Sequence, residues 1–67
     1  MISVTVNGQA HELPEGTTVA ALLAILKKDG QPAAVEVSRR LVPKREHASR
    51  VLVSGEVVEV VTLVGGG

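Results

Sequence analysis

Few residues of this chain are equipped to do chemistry. His11 and His47 stand alone, with no serine, aspartate or cysteine placed to make a nucleophile–base pair. Two histidines among scattered carboxylates do not give metal-ligand spacing either. Cysteine is absent, which removes disulfides, thiolate metal sites and a thiol nucleophile. Both histidines therefore read as surface residues, and the chain reads as a non-enzyme that binds no metal or cofactor itself. What remains is the end, Leu63-Val64-Gly65-Gly66-Gly67, where a valine-rich run passes into three glycines and a bare carboxylate. Glycine has no Cβ, so such a segment is expected to be flexible and thin enough to thread a narrow channel. At roughly 3.3–3.6 Å per extended residue, the five residues from Leu63 span on the order of 15 Å. An oligoglycine end is also what a linker remnant or a frayed terminus leaves, so the elements before it have to decide.

Those elements belong to one small domain. Sixty-seven residues leave no room for a second core. The apolar fraction is 45%, supplied by Val, Leu, Ala, Ile and Met without a single aromatic residue. That excludes base stacking on aromatic rings, the usual means of holding single-stranded nucleic acid. No signal peptide or membrane-length apolar run is evident, so a cytoplasmic domain is expected, without a nucleic-acid or membrane partner. The net charge is zero, yet all seven basic residues lie between Lys27 and Arg50 against only Asp29, Glu36 and Glu46. That segment carries +4 and each flank −2. It reads as a solvated basic face or as a patch for an acidic partner.

Periodicity supplies the elements. Ile2, Val4 and Val6 alternate with Ser3 and Thr5, giving a strand with one buried face. Asn7-Gly8 is the favoured two-residue hairpin turn, and a second strand returns through Leu13. Pro14-Glu15-Gly16 ends it, and Thr17 is placed to cap a helix. Val19, Leu22, Leu23 and Leu26 form one apolar helical stripe. Lys27 and Lys28 then fall in its last turn, with Gly30 as a left-handed cap and Pro32 beyond. A third strand is expected at Ala33–Val37, a turn at Ser38-Arg39-Arg40, and a short apolar contact at Leu41-Val42. One short helical turn at Lys44–Ala48, the apolar Val51–Val53 and a turn at Ser54-Gly55 lead to the last strand from Val57 to Leu63. With Val58 and Val60 toward the helix, Val57, Val61 and Leu63 lie on the opposite face around Glu59. One helix cannot cover both sides of such a strand, so a partly bare apolar patch is predicted beside the glycine tail.

The order of hairpin, helix, strand, short segment and strand implies an α+β fold: one mixed sheet gripping a single helix, its last strand central and parallel to the first. The chain resembles the ubiquitin-like β-grasp sulfur carriers, and among them the ThiS type of thiamine biosynthesis. The resemblance rests on Val6-Asn7-Gly8, Leu13-Pro14-Glu15-Gly16-Thr17-Thr18-Val19 leading into Leu22-Leu23, Val35-Glu36-Val37 with Leu41-Val42-Pro43, and Glu59-Val60-Val61 running into Val64-Gly65-Gly66-Gly67. It covers the whole chain. Ser38-Arg39 stands where that family often has Asn-Gly, and Gly55-Glu56 where Gly-Asp is common.

The resemblance implies a β-grasp domain over residues 1–64 and a flexible tail over 65–67. It implies a carrier whose Gly67 α-carboxylate is adenylated by a ThiF-type adenylyltransferase that uses ATP and Mg²⁺. A persulfide donor such as a cysteine desulfurase would then leave Gly67 as a thiocarboxylate, which gives up its sulfur on a ThiG-type thiazole synthase. Gly65 and Gly66 would thread the partner's channel. Val57, Val61, Leu63 and Val64 would supply the docking contacts, with Arg39 and Arg40, and more broadly Lys44, Arg45 and Arg50, steering acidic partners. The same tail chemistry also serves molybdenum cofactor synthesis and tRNA thiolation, and a non-carrier ubiquitin-like interaction module would leave the glycines idle.

Overall fold

The structure is a computed structural model and describes residues 1–63. Strands β1 (Ile2–Val6) and β2 (Gln9–Leu13) form the expected hairpin, in register from Val6 opposite Gln9 to Ile2 opposite Leu13. Asn7 and Gly8 both have positive φ, 48° and 82°, which the tight two-residue turn requires. Helix α1 (Val19–Ile25) follows, then β3 (Ala33–Val37), β4 (Arg40–Val42), a 3₁₀ turn at Lys44–Glu46, and β5 (Val57–Thr62). The strands form one sheet in the order β2-β1-β5-β3-β4. As expected, β5 is central and parallel to β1; its other neighbour, β3, is antiparallel to it.

All of α1 lies on one side of this sheet. Ile2, Val4, Val6, Leu13, Val35, Val37, Val42, Val58 and Val60 point toward it and are buried with Val19, Leu22, Leu23 and Leu52. Leu26 completes the stripe at the edge of the core. The core is therefore aliphatic throughout, and the sheet's other side has no layer over it among the described residues.

The helix ends differ from expectation. Thr18, not Thr17, is the N-cap, and its hydroxyl accepts from the Ala21 N–H at 3.1 Å. Thr17 closes a turn instead: its hydroxyl donates to the Pro14 carbonyl at 2.6 Å, and its own carbonyl accepts from the Leu52 N–H. Thr18, at φ −91° and ψ 170°, is the extended residue before the first turn, so the helix starts one residue later than expected. At the other end Leu26 is the C-cap, and Lys27 takes the left-handed residue at φ 61°. Lys27 N–H bonds to Ala24 O and Lys28 N–H to Leu23 O, the paired bonds of a Schellman stop. Lys27 and Lys28 thus lie beyond the last turn, and Gly30 is not the cap. Arg40 likewise belongs to β4, leaving Ser38 and Arg39 as the two turn residues.

Candidate functional site: the open face of the sheet

Along β5 the side chains alternate. Val58 and Val60 are buried against α1, whereas Val57, Val61 and Leu63 are 53%, 59% and 53% exposed on the other face. The expected split between the two faces is thus observed. Leu63 is the last described residue, and its N–H bonds to the Pro32 carbonyl at 2.9 Å, fixing it at the edge of this face. Val64, Gly65, Gly66 and Gly67, expected to carry the docking contact, the threading and the modified carboxylate, lie outside the described residues.

Strand pairing enlarges the patch beyond what β5 alone suggests. Ala34 is opposite Val61, and Leu41, 64% exposed, is opposite Glu36. The sequence groups Leu41 with Val42 as a single apolar contact. The two in fact point apart, with Val42 in the core and Leu41 on the open face. Alternation along β4 carried that signal. Within the apolar surround, Glu36 of β3 and Glu59 of β5 are direct cross-strand partners. Nothing in the linear pattern places these two carboxylates side by side.

Arg39, Arg40 and Arg50 lie away from the root of the tail, whereas Lys44 lines a cavity with Pro32 and Ala33 near the Leu63 end of β5. Arg39 is exposed in the β3–β4 turn, near the Val57–Val58 end of β5. Leu63 is about 17 Å further along at roughly 3.4 Å per residue. Arg40 is exposed but in register with Val37, on the helix side of the sheet rather than the open face. Arg50 is not free to steer a partner: its guanidinium pairs with Glu56 at 2.7 Å and donates to the Val51 carbonyl. Glu56 Oε1 also accepts from the Val53 N–H at 2.8 Å. Burial works to raise the Glu56 carboxyl. The Arg50 and Val53 hydrogen bonds and the Arg50 charge outweigh it and hold the group below its ordinary value.

His47 is not a surface residue. It is buried, with Nε2 3.0 Å from the Val42 carbonyl, and its own carbonyl accepts from the Ala20 N–H. A carbonyl only accepts, so Nε2 carries the proton. The ring fastens the 3₁₀ segment to β4 beneath the helix. His11 is half-buried on edge strand β2, opposite Val4. The structure brings neither ring to the open face, and no group of three or more metal-ligating side chains converges among the described residues. Among the described residues no helix is long and apolar enough to cross a membrane. The open face is therefore an apolar surface with two carboxylates in it, lying beside the strand end that leads to the glycines.

A mixed five-stranded sheet in this order, holding one helix, defines the β-grasp class. The family model described as "ThiS family" matches residues 4–67, and the chain belongs to that family. The crystal structure of a thiamine biosynthesis protein (ThiS) from Geobacter metallireducens superposes with a TM-score of 0.79 at 26% identity, covering 98% of this chain and 100% of that one. A solution structure of a thiamine biosynthesis protein from the same organism gives 0.78 at 26% identity, covering 98% and 88%. Among sequences, a thiazole synthase of Paramagnetospirillum magneticum is 33% identical over 66 residues, 98% of this chain but 20% of that protein. An uncharacterized protein of Porphyra purpurea, ycf40, is 32% identical over 66 residues, covering 98% and 93%. The chain thus spans about a fifth of the thiazole synthase it matches.

Proposed function

We propose that this protein is the sulfur carrier for thiamine thiazole formation, with the Gly67 carboxylate as the group that is loaded. The family match through residue 67, which includes Gly65-Gly66-Gly67, carries this reading. In the proposed cycle the carboxylate, ionised at neutral pH, attacks the α-phosphorus of ATP held with Mg²⁺ by a ThiF-type adenylyltransferase. Pyrophosphate leaves and an acyl-adenylate forms. A persulfide sulfur from a donor such as a cysteine desulfurase then attacks the acyl carbon and displaces AMP. Thiol cleavage of the resulting acyl disulfide leaves the thiocarboxylate. Gly65 and Gly66 pass a channel that a Cβ would obstruct, which keeps water from the labile adenylate. Val57, Val61 and Leu63, with Val64, dock the carrier. The similarity to one-fifth of a thiazole synthase supports a ThiG-type synthase as the acceptor of the sulfur. In this scheme the chain contributes a substrate group and a docking face, and the partners contribute the catalysis.

Intact-mass spectrometry tests the reading directly, after incubation with adenylyltransferase, ATP, Mg²⁺ and a persulfide source. The expected result is a gain equal to replacing one oxygen by sulfur, localised to Gly67 and absent when Gly67 is deleted. An unchanged mass, with enzyme proven active on another carrier, overturns it and leaves an interaction module with idle glycines.

A further inference from the structure

We infer that the open face receives a partner surface that is apolar at its rim and carries an arginine at its centre, and that Glu36 and Glu59 select it. This rests on the docking role proposed above for the same face and adds the chemistry of the occupant. Glu36 and Glu59 are Cα partners across β3 and β5, both exposed on the side away from α1. Side chains so placed have Cβ atoms about 5 Å apart, and like charges there destabilise a sheet. The chain does not offset this cost itself. The ion pairs among the described residues are Arg45–Glu46 and Arg50–Glu56, and neither Glu36 nor Glu59 has a cationic partner.

The neighbours of the pair narrow the choice of occupant. Val57, Val61, Ala34 and Leu41 surround the two carboxylates on the same face. A wholly apolar partner would desolvate both carboxylates without pairing either. A second copy stacked face to face would bring four carboxylates together, and an anionic lipid surface would add further negative charge. A guanidinium resolves the conflict. It is planar, always charged and has donors enough to bind both carboxylates while its faces stay against aliphatic side chains. The repulsion that burdens the free carrier is thereby relieved on binding, so the pair favours a cationic partner over the alternatives.

The test titrates the whole protein with a purified ThiF-type adenylyltransferase by calorimetry, at low and high salt. The variants are E36Q/E59Q, the single E59Q and V61D. Glutamine keeps the shape and removes the charge. The expected result is that E36Q/E59Q binds about tenfold more weakly with a shallower salt dependence, while its thermal midpoint equals or exceeds that of the wild type. E59Q should fall between the two. Wild-type affinity in E36Q/E59Q, with binding abolished in V61D, overturns the arginine assignment and leaves the docking face in place. Normal binding by V61D overturns the docking reading and this inference with it. Self-association of the wild type, seen by sedimentation velocity and lost in V61D, would make a second copy the occupant and equally overturn it.

Discussion

The side-chain amide of Asn7 and the backbone of Val60 close a pair of hydrogen bonds, Nδ2–H to Val60 O at 3.0 Å and Val60 N–H to Oδ1 at 2.8 Å. The backbone ladder between β1 and β5 reaches its last bond at Asn7 N–H to Val58 O, because the chain then turns into the β1–β2 hairpin. The amide takes the place of the next peptide unit and continues the ladder by one step. Asn7 thus does two things, accepting a positive φ in a tight turn and holding the central strand just before Val61 and Leu63. Strand order, the open face and the end of β5 are linked through this contact.

Replacing Asn7 by aspartate isolates the second role. Aspartate tolerates the same backbone conformation and still accepts from Val60 N–H, but it has no donor for the Val60 carbonyl and sets a negative oxygen against it. We expect a loss of about 1–3 kcal/mol in urea unfolding and faster amide exchange at Val60. Wild-type stability in N7D would show that the amide bonds contribute nothing beyond the turn.

The second hairpin makes the opposite choice of residues. Ser38 and Arg39 both sit at positive φ, 52° and 67°, in a turn equivalent to that of Asn7-Gly8. Left-handed backbone costs an L-residue roughly 1–2 kcal/mol, and asparagine and glycine bear it best. The double variant S38N/R39G is therefore expected to gain about 1–2 kcal/mol, read from the urea midpoint at constant slope. A lower midpoint would mean that side-chain contacts of Arg39 outweigh the backbone strain.

Glu56 gives the fold a pH dependence of definite sign. Its carboxyl titrates below the ordinary 4.5 in the folded protein, because the bonds from Arg50 and Val53 outweigh the opposing effect of burial. A depressed folded pKa means stability that is present above the unfolded value and is lost as pH falls through the folded one. Wild type should thus lose stability more steeply than E56Q as pH drops below about 4.5, and the gap between the two should narrow. Parallel stability–pH curves would remove Glu56 as the source. Arg50 is partly exposed, so added salt should shrink the difference.

Much of this architecture is legible in the chain because each periodicity matches one burial environment. Ile2-Val4-Val6, the stripe from Val19 to Leu26, and the two-sided run from Val57 each name an element and the face it buries. The order of elements, with the resemblance, places β5 at the centre. The features that escaped reading depend on partners distant in sequence. Thr17 yields the capping role to Thr18 and bonds to Leu52, and His47 is buried by Val42 and helix α1. Arg50 is withdrawn from the basic patch by Glu56, across a turn with no periodic signal. The Glu36–Glu59 pair depends on register, which alternation within a strand does not specify. Lys27 at a left-handed position contradicts its own preference, so the more compatible Gly30 drew the expectation.

Val60 and Val61 offer the most direct test of how the two sides of β5 divide their work. They are adjacent, similar in chemistry, and point to opposite sides of one strand: Val60 is buried in the core, and Val61 is exposed opposite Ala34. Placing aspartate at position 60 forces a carboxylate among aliphatic side chains with no partner, a cost of about 3 kcal/mol or more, which a domain of this size can ill sustain. Aspartate at position 61 meets water in the free protein and should change stability by no more than about 0.5 kcal/mol. Docking reverses this, because a partner covering the face would bury the new charge beside Glu59. V60D is expected to lose its cooperative thermal transition. V61D should keep a wild-type transition yet fail to accumulate thiocarboxylate with adenylyltransferase, ATP, Mg²⁺ and sulfur donor. Unfolding of both variants would show that Val61 supports the core, and full loading of a folded V61D would mean that this face does not dock the loading enzyme.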